Sequence, residues 1–473
     1  MLTFEPYSEE TLKRYLPWIE RSPYNINDLS AGSFFMWNEG VNLAFAVSHG
    51  SFLSRQDICG EPSFSWPFGG EDNLALDELL AYVRERDLPL KFYGVPEALL
   101  PIIRADQRFP DLLCQYERKW SDYIYDAGEV STFRGKKFSG QRNHCNKFRS
   151  LYGEPDFRPL TPEMTGEVLR MLGEYAKEHP DQKYEERAEY RHTLELMGCY
   201  QDLGMIGGAL YVEGSPISVT IGEVQGENLI IHVEKALRRY EGAYPTTFRS
   251  FVAQTLLQCP SLRTVNREDD AGDAGLRTSK LQYNPIRLEN KYLVKVRSPL
   301  AMLKETPILE GDGVILDEIR NTDRENYFRL CTDKENNRLW GYDYETDSSI
   351  TGDINEDTFY DMVRFDRSLG EGISFAVRER RDGPLIGEAI VYNFTFNGSA
   401  EIGARIARDA QGRGYGTKAF RLASDWAAAT LGVRLKAKCY LENSASEKMI
   451  LASGFLPSGE DETFRYFRRS SLG

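Results

Sequence analysis

The chain begins the same kind of segment three times, at nearly equal spacing. Each copy reads as a short strand, a serine or threonine that can cap a helix, and an amphipathic helical stretch. The copies begin at Phe4, Phe157 and Leu316, which places them 153 and 159 residues apart. Such spacing is typical of repeated structural units. The 473 residues therefore predict three related domains, each of a size that can enclose its own hydrophobic core.

Apolar runs after each opening predict hairpins and define the expected fold class. The strands expected in the second and third copies are 207–212, 217–221, 229–233, 373–377, 385–394 and 401–407. The first copy has a vaguer version of the same order. The pattern predicts an α/β (α+β) fold in which each unit is a mixed, mostly antiparallel sheet flanked by helices. The expected domains are residues 1–130, 131–297 and 306–473, with a linker near 298–306.

The charge balance and the cysteines narrow the class of protein. Asp and Glu number 72 against 58 Lys and Arg, and the net charge of −14 argues against a general binder of nucleic acid or anionic membranes. The seven cysteines include no CxxC pair, which predicts reduced thiols and no zinc site. No apolar run is long enough to span a bilayer, and the first residues lack signal-peptide features. We therefore expect a cytoplasmic protein without a transmembrane segment or metal site, and the oligomeric state is left open.

The third unit carries a glycine-rich turn between a strand and a helix. Its sequence is Gln411-Gly-Arg-Gly414-Tyr-Gly416-Thr417, and residues 417–431 continue as a helix with an apolar stripe. Glycines let the backbone turn tightly, so that amide N–H groups converge at the helix N-terminus and favour the oxygens of a pyrophosphate. The alternative is an ordinary turn without a ligand. Hairpin strands before the turn disfavour a Rossmann site, and the absence of a Gly-Lys-Ser/Thr ending disfavours a Walker loop.

Further motifs surround this turn. They are Glu401-Ile-Gly on the expected central strand, Asn443-x-x-Ser446 on the next helix, and the Gly454-Phe455 turn. Together with the glycine-rich turn, they make residues from about 308 to 473 resemble the GNAT N-acetyltransferase superfamily. The resemblance implies an acyltransferase that takes its acyl group from acetyl-CoA and transfers it to a primary amine of a small molecule or peptide.

The resemblance also implies roles for individual residues. Backbone amides of the turn would hold the pyrophosphate, and the amide of Ile406, where the strand splays from its neighbour, would hold the thioester carbonyl, on which negative charge develops. Asn443 and Ser446 would lie near the pantetheine or adenosine, with a helix cap and a neutral surface position as their alternatives. The expected coenzyme-binding residues are Ile406, Gln411, Gly412, Arg413, Gly414, Gly416, Thr417, Asn443 and Ser446.

Two glutamates are candidates for the general base. All five histidines precede the linker, so Glu401 and Glu388, on adjacent strands, remain to take the proton directly or through water. The alternative is a cross-strand polar contact at the sheet surface. The expected catalytic residues are therefore Glu401, Glu388 and Ile406. Many members of the superfamily place a general-acid tyrosine four residues before the Gly-Phe turn. Ile450 stands there, which leaves open turnover without that acid and coenzyme A binding with little turnover.

Residues 1–297 resemble a different family, related to the C-terminal domain of phosphatidylglycerol lysyltransferases. The matching motifs are Arg142-Asn-His-Cys-Asn-Lys-Phe148, the stretch 233–245 that contains Val-Glu-Lys-Ala-Leu, and Asn266-Arg-Glu-Asp-Asp with the following residues to 280. The resemblance implies tandem GNAT-like folds and, in better characterised relatives, transfer of aminoacyl groups from tRNA. In the second unit, the phosphate turn is replaced by a segment that keeps Gly242 and ends in Pro245, which disfavours acetyl-CoA binding there.

A basic segment and an acidic run stand out in the same region. Residues Arg134–Arg149 include six Lys or Arg and no Asp or Glu, which fits an anionic ligand or tRNA, with a solvated or internally paired helix face as the alternative. The run Asp269-Asp-Ala-Gly-Asp273 lacks the spacing of an EF-hand, so we expect it to pair with Arg277 or Lys280. Glu234 is the best candidate for an acidic residue of a transfer site in this part of the chain.

Three functions remain open from the sequence. The first is an acetyl-CoA-dependent N-acetyltransferase with its chemistry in the third unit, which the glycine-rich turn favours. The second is aminoacyl transfer from tRNA by the first two units, which the basic segment and the family motifs favour. The third is a non-catalytic protein that binds coenzyme A or another ligand, which the isoleucine at position 450 keeps open.

Overall fold

The structure is a computed structural model that describes residues 2–58, 60–109, 111–180, 184–345 and 353–469. It forms two compact units. The first consists of Met1–Tyr82, Lys91–Pro110 and Cys114–Lys295, and the second of Val83–Leu90, Asp111–Leu113 and Val296–Gly473.

Fifteen α-helices occur in the described ranges, and polar side chains begin several of them. The helices are α1 (Glu9–Ile19), α2 (Ala31–Met36), α3 (Asp72–Glu85), α4 (Leu100–Ala105), α5 (Ala127–Thr132), α6 (Ser139–Tyr152), α7 (Thr165–Glu178), α8 (Tyr184–Leu196), α9 (Ala243–Gln258), α10 (Ala274–Leu281), α11 (Arg324–Thr332), α12 (Lys334–Asn337), α13 (Glu356–Leu369), α14 (Tyr415–Trp426) and α15 (Ser444–Ala452). At the first of them, Ser8 Oγ accepts the N–H of Thr11 at 3.0 Å, as expected of a cap at a repeat opening.

The strands of the described ranges form three sheets. They are β1 (Glu5–Pro6), β2 (Ala44–Ser48), β3 (Ser51–Ile58), β4 (Glu61–Phe64), β5 (Lys91–Pro96), β6 (Leu112–Tyr116), β7 (Asp122–Asp126), β8 (Asp156–Pro159), β9 (Ile206–Val212), β10 (Ser215–Gln225), β11 (Asn228–Ala236), β12 (Thr264–Asn266), β13 (Arg287–Glu289), β14 (Lys291–Val296), β15 (Leu309–Gly311), β16 (Val314–Glu318), β17 (Gly372–Arg378), β18 (Gly387–Tyr392), β19 (Ser399–Ile406), β20 (Arg434–Tyr440), β21 (Phe455–Glu460) and β22 (Phe464–Arg469).

The strand orders show the repeat. The first sheet has the order β1-β2-β3-β4-β5-β14-β6, the second β13-β7-β12-β11-β10-β9-β8, and the third β15-β16-β17-β18-β19-β20-β22-β21. Antiparallel neighbours dominate, but each sheet contains a parallel pair whose strands are joined through a helix: β4 with β5, β11 with β12, and β19 with β20. Three mixed sheets flanked by helices confirm the expected fold class.

The first two sheets are not built from two consecutive segments of the chain. Strand β14, the last of this region, pairs with β5 of the first sheet, whereas β7 pairs with β12 and β13 of the second. Sheet membership therefore differs from the expected division at residue 130, because Tyr123 and Tyr125 of β7 are fully buried in the core of the second sheet. The domain boundaries remain a prediction.

The segment expected to be a linker packs against the core of the third sheet. A 3₁₀-helix covers Pro299–Met302, and Leu300 is fully buried in the core of the third sheet. Ser298 Oγ donates to the carbonyl of Gly370 at 2.6 Å, and Arg367 donates to the carbonyl of Leu300 at 3.2 Å. This part of 298–306 is thus ordered by contacts that a linker would lack.

Candidate functional site

The central strands of the third sheet separate where the glycine-rich turn lies. Strands β19 and β20 pair over Ser399–Glu401 and Arg434–Lys436, and no pairing between them follows in the described residues up to Ile406 and Tyr440. Helix α14 begins beside this opening, after Gly414 in the left-handed conformation with φ +77°. A gap between two central strands next to a helix N-terminus provides both a slot for an extended ligand and N–H donors for an anion.

A cleft of about 1080 Å³ opens at this point. Its lining includes nine of the residues expected from the sequence: Glu388, Ile406, Gln411, Gly412, Gly414, Gly416, Thr417, Asn443 and Ser446. Arg413 and Glu401 do not line it. Arg413 is exposed and lies 3.5 Å from the carboxylate of Glu379. The structure thus brings together most of the expected site and leaves two members outside the lining of the cleft.

The side chain of Gln411 holds the end of β19. Its Nε2 donates to the carbonyl of Ile406 at 3.0 Å and to Oδ1 of Asn336 at 2.8 Å, while Asn336 Nδ2 donates to the same carbonyl at 3.0 Å. The opposite wall comes close as well, because a Cβ on Gly416 would lie 3.4 Å from Met449 Sδ. Gln411 therefore binds the protein backbone here, and the backbone N–H groups of the turn remain the predicted donors to a ligand.

Asn443 has the capping role that the sequence offered as an alternative. Its Oδ1 accepts the N–H of Ser446 at 3.0 Å at the start of α15. Both residues line the cleft. A cap and a contact with a ligand are compatible, so their coenzyme-binding role stays a prediction.

Glu388 lies at the centre of a buried cluster with Arg405 and Tyr327. Its Oε2 accepts the Nε–H of Arg405 at 2.9 Å and lies 2.7 Å from Nη2 of the same guanidinium, and its Oε1 accepts the hydroxyl of Tyr327 at 2.8 Å. Arg405 also lies 4.8 Å from the ring centre of Trp340. Burial and then the charge of Glu388 raise the pKa of Tyr327 well above its usual range. Both oxygens of this carboxylate are occupied by donors of the protein.

Arg405, Tyr327 and Trp340 are cleft residues that the sequence did not single out. The signal for Arg405 was present in the strand register, because Glu388 faces Arg405 across the antiparallel pair β18–β19. Trp340 packs over Gly403, where a Cβ would lie 3.0 Å from its ring. That glycine in an otherwise regular strand was the available signal for a close neighbour.

Glu401 does not line the cleft but neighbours two residues that do. It faces Tyr392 across β18 and β19, and its Oε2 lies 3.6 Å from Nζ of Lys438. Burial, followed by the charge of Glu401 and a hydrogen bond to it, raises the pKa of the Tyr392 hydroxyl. Tyr392 and Lys438 themselves line the cleft. The catalytic role of Glu401 stays a prediction, and it would have to act through these two residues or through water.

The position of the missing general acid is filled by a core residue. Ile450 is buried beside Phe420 and Phe455, so no hydroxyl is available there. The hydroxyl of Tyr415 donates to Glu379, whereas Tyr440 lines the cleft at the end of β20.

The corresponding turn of the second sheet is closed by protein groups. Gly242 precedes α9 in the left-handed conformation, and a Cβ on it would lie 2.3 Å from the carbonyl oxygen of His144 in α6. Arg239 is bound by Glu178 at 2.8 Å and by Glu174. The space over this turn is thus occupied by α6, which agrees with the expectation that acetyl-CoA is disfavoured here.

The basic segment is partly neutralised within the protein. Lys137 pairs with Glu129 at 2.6 Å and Arg149 with Glu154 at 3.0 Å, and Arg142 donates to backbone carbonyls. In the described part of the chain we find no ion pair for the exposed side chains Arg134, Lys136 and Lys147. Part of the segment is therefore paired within the protein, as the alternative interpretation predicts. Its other cations are exposed, as the interpretation as an anion-binding segment requires.

The acidic run forms the expected partnerships. Asp270, fully buried, accepts Nη2 of Arg277 at 2.8 Å, and Lys280 donates to the carbonyl of Asp269. Glu234 is bound by Arg267 Nη2 at 2.7 Å. Among the described helices, none combines the length and the apolar character needed to cross a membrane.

Two family models match consecutive parts of the chain. The model of the phosphatidylglycerol lysyltransferase C-terminal family matches residues 21–295, and that of the acetyltransferase (GNAT) domain matches residues 314–456. The first match covers more than half of the chain. The protein therefore belongs to the phosphatidylglycerol lysyltransferase C-terminal family, and it carries a GNAT acyltransferase domain after that region.

Three solved structures are similar to parts of the chain. A conserved protein of unknown function from Bacteroides thetaiotaomicron is 26% identical, with a TM-score of 0.58 over 63% of this chain and 100% of that one. The L-PGS from Bacillus licheniformis is 15% identical, with a TM-score of 0.45 over 62% and 92%. The spermidine N-acetyltransferase from Vibrio cholerae, solved with CoA and spermine, is 16% identical, with a TM-score of 0.30 over 34% and 98%.

A curated relative without a known function is also similar. An uncharacterized protein of Mycoplasmoides gallisepticum is 25% identical over 182 residues, which is 37% of this chain. The chain spans 56% of the length of that relative.

Proposed function

We propose that the C-terminal domain transfers an acetyl group from acetyl-CoA to a primary amine of a small molecule or peptide. The observation that carries the proposal is the separation of β19 from β20 beside the glycine-rich start of α14, within one cleft. The pantetheine arm would lie in the slot between the strands, and the N–H groups of residues 412–417 would bind the pyrophosphate. A cytoplasmic location remains a prediction from the sequence.

The chemistry asked of the protein is mainly positioning. The amine nitrogen forms the C–N bond, the C–S bond of the thioester breaks, the nitrogen gives up one proton, and the thiolate takes a proton from solvent. The amide of Ile406 would stabilise the oxyanion that develops on the carbonyl oxygen. Asn336 and Gln411 support this role, because both fix the backbone by donating to the Ile406 carbonyl. Glu401 would receive the amine proton through water, and Glu388 would position Arg405 and Tyr327.

Gly414→Val is expected to weaken acetyl-CoA binding roughly tenfold or more. A branched side chain is strained at φ +77° and would crowd the N–H donors that precede α14. Isothermal titration calorimetry on the full chain measures the change. Gly432→Val is the matched control, since Gly432 has φ +66° and does not line the cleft. Equal affinities of the two variants would contradict the proposed pyrophosphate site.

Glu401→Gln is expected to lower kcat/KM for amine acetylation roughly a hundredfold and to flatten the acidic limb of its pH profile. The amide keeps the size of the side chain but cannot accept the proton. The measurement is coenzyme A release against pH. Glu460→Gln makes the same change on exposed β21 and is expected to leave the profile unchanged. A Glu401→Gln profile that matches the parent would exclude this residue as the base.

The alternative is aminoacyl transfer from tRNA by the N-terminal region. Its support is the family match over residues 21–295 and the exposed cations of the 134–149 segment. Filter binding of the full chain with aminoacyl-tRNA, repeated with Lys136→Gln/Lys147→Gln, tests it. Affinity that the double variant does not change would argue against this surface. Binding of acetyl-CoA without turnover of any amine would instead support a non-catalytic coenzyme A-binding protein.

A further inference from the structure

A second cavity of about 440 Å³ lies in the C-terminal domain, outside the site described above. It is formed by the C-terminal half of α13, the start of β17, and the segment 297–306. Its charged lining consists of four cations and two carboxylates: Arg297, Lys304, Arg364, Arg367, Glu305 and Glu318. An excess of positive charge is concentrated here in a chain whose net charge is −14.

The cations of this cavity are weakly compensated by carboxylates. Arg367 donates to the backbone carbonyls of Leu300 and Leu303, at 3.2 and 2.7 Å, and its Nε finds no hydrogen-bond partner among the described residues. Burial lowers the pKa of this guanidinium. Arg364 donates to the hydroxyl of Tyr360 at 3.0 Å and lies 3.9 Å from Glu318. The cavity thus offers guanidinium donors to an anion.

Arg297 and Lys304 add to this excess. Arg297 lies 3.9 Å from Asp111, beyond hydrogen-bonding distance. In the part of the chain that the structure describes, Lys304 forms no ion pair.

The basic cavity adjoins the acyl-transfer cleft. Val363 and Ser374 line both. Ser374 pairs with Ile390, and Ile390 pairs with Gly403, so these residues form one row across β17, β18 and β19 on the same face of the sheet. Two strand spacings of about 4.8 Å separate Gly403, at the opening of β19, from Ser374. A molecule that lies along this row reaches the basic cavity roughly 10 Å from the opening.

We propose that the acceptor is an amine that carries a carboxylate or phosphate group roughly 10 Å from its nitrogen, and that this anion binds in the cavity lined by Arg364, Arg367 and Lys304. The inference rests on the proposed acetyl transfer. It narrows the acceptor to an anionic amine, and it places the acceptor along Ser374 and Ile390, beside the Trp340 ring that covers Gly403.

The test compares three acceptors with the same chain: 8-aminooctanoate, 8-aminooctyl phosphate and the methyl ester of 8-aminooctanoate. Coenzyme A release by the full-length protein is measured with each. We expect kcat/KM for the two anions to exceed that for the ester roughly tenfold or more. In the variant Arg364→Gln/Lys304→Gln this ratio is expected to fall at least roughly fivefold. Arg468→Gln, the same change on exposed β22, is expected to keep the ratio.

The outcomes separate the two proposals. Equal kcat/KM for the ester and the anions, or a ratio that the double variant leaves unchanged, would overturn the anion cavity while acetyl transfer stands. If acetyl-CoA fails to bind, acetyl transfer is refuted, and the cavity is judged by calorimetric titration with the same amines. Tighter binding of the carboxylate and phosphate, lost in the double variant, then supports the cavity, and equal binding of all three refutes it. Inorganic phosphate that binds as tightly as 8-aminooctyl phosphate would indicate a free anion and overturn the assignment to the acceptor.

Discussion

Glu388→Leu is expected to lower the free energy of unfolding by about 3–5 kcal/mol. The Arg405 side chain is only 9% exposed and that of Glu388 2%, so removal of the carboxylate leaves a buried guanidinium without its counter-charge. The hydroxyl of Tyr327 loses its acceptor in the same change. Urea unfolding of the full chain, followed by circular dichroism, measures the loss.

The double variant Glu388→Leu/Arg405→Leu is the control for this interpretation. Replacing both members of a buried pair by apolar residues removes the uncompensated charge, so its loss should be smaller than the sum of the two single losses by roughly 1–3 kcal/mol. Asn337, which accepts from Arg405 Nη1 at 2.8 Å, accounts for part of the remaining cost. Losses that simply add would contradict a coupled pair.

The same pair bears on the mechanism. A carboxylate that already accepts hydrogen bonds from Arg405 Nε and Tyr327, and that lies 2.7 Å from Arg405 Nη2, has little capacity to receive a proton from an amine. We therefore expect Glu388→Gln, which keeps an acceptor oxygen, to change KM through the position of Arg405 and to leave the pH profile of kcat/KM in place. A flattened acidic limb in this variant would show that Glu388 is the base.

Local sequence patterns were sufficient for much of the fold. A cap at Ser8, alternating apolar residues in 207–233, and three openings at near-equal intervals determine elements that depend on neighbours along the chain. The exchange of β14 into the first sheet was not predictable in this way. Its pairing with β5 joins residues about two hundred positions apart, and a regular strand does not show in its sequence which sheet it joins.

The candidate site, like the fold, was predictable only where it depends on neighbouring residues in the sequence. The turn 411–417 is encoded by adjacent residues, and the structure places it at the cleft. The neighbourhoods of Glu388 and Glu401 depend on strand register and on residues brought in from α11 and from the segment around Trp340. Two glutamates that look equivalent in the sequence thus differ: Glu388 lines the cleft and is bound by Arg405, and Glu401 pairs with Tyr392 outside the lining.

A buried histidine gives the compact unit that holds the first two sheets an expected pH dependence between pH 6.5 and 9. His232 lies between two carboxylates, with Nε2 2.8 Å from Glu223 Oε1 and Nδ1 2.8 Å from Glu268 Oε1. Burial by itself lowers the pKa of this imidazole, but the hydrogen bonds with Glu223 and Glu268 outweigh it and raise the pKa of His232 to about 9. Glu223 also accepts the N–H of Gly32 at 2.8 Å, and a Cβ on Gly32 would lie 2.1 Å from the imidazole.

The raised pKa determines the direction of the effect. Because the folded state binds the proton more tightly than the unfolded chain, whose histidine titrates near 6.5, the stabilisation is complete below about pH 6.5 and is lost as the pH rises through about 9. The expected loss is on the order of 3 kcal/mol. Burial raises the pKa of Asp122 to about 6. The effect of this carboxyl group on the free energy of unfolding therefore changes between about pH 4 and 6, below the interval in which His232 titrates.

Urea unfolding of the full chain at pH 6.5, 7.5 and 9 tests this expectation against His232→Gln and His144→Gln. The first variant should be less stable at pH 6.5, because Glu223 and Glu268 lose their shared cation, and nearly independent of pH up to 9. The second removes an exposed histidine of α6 and should keep the slope of the parent. A parent and a His232→Gln variant with the same slope would mean that His232 is neutral in the folded state, and that Glu223 and Glu268 bind it without its proton.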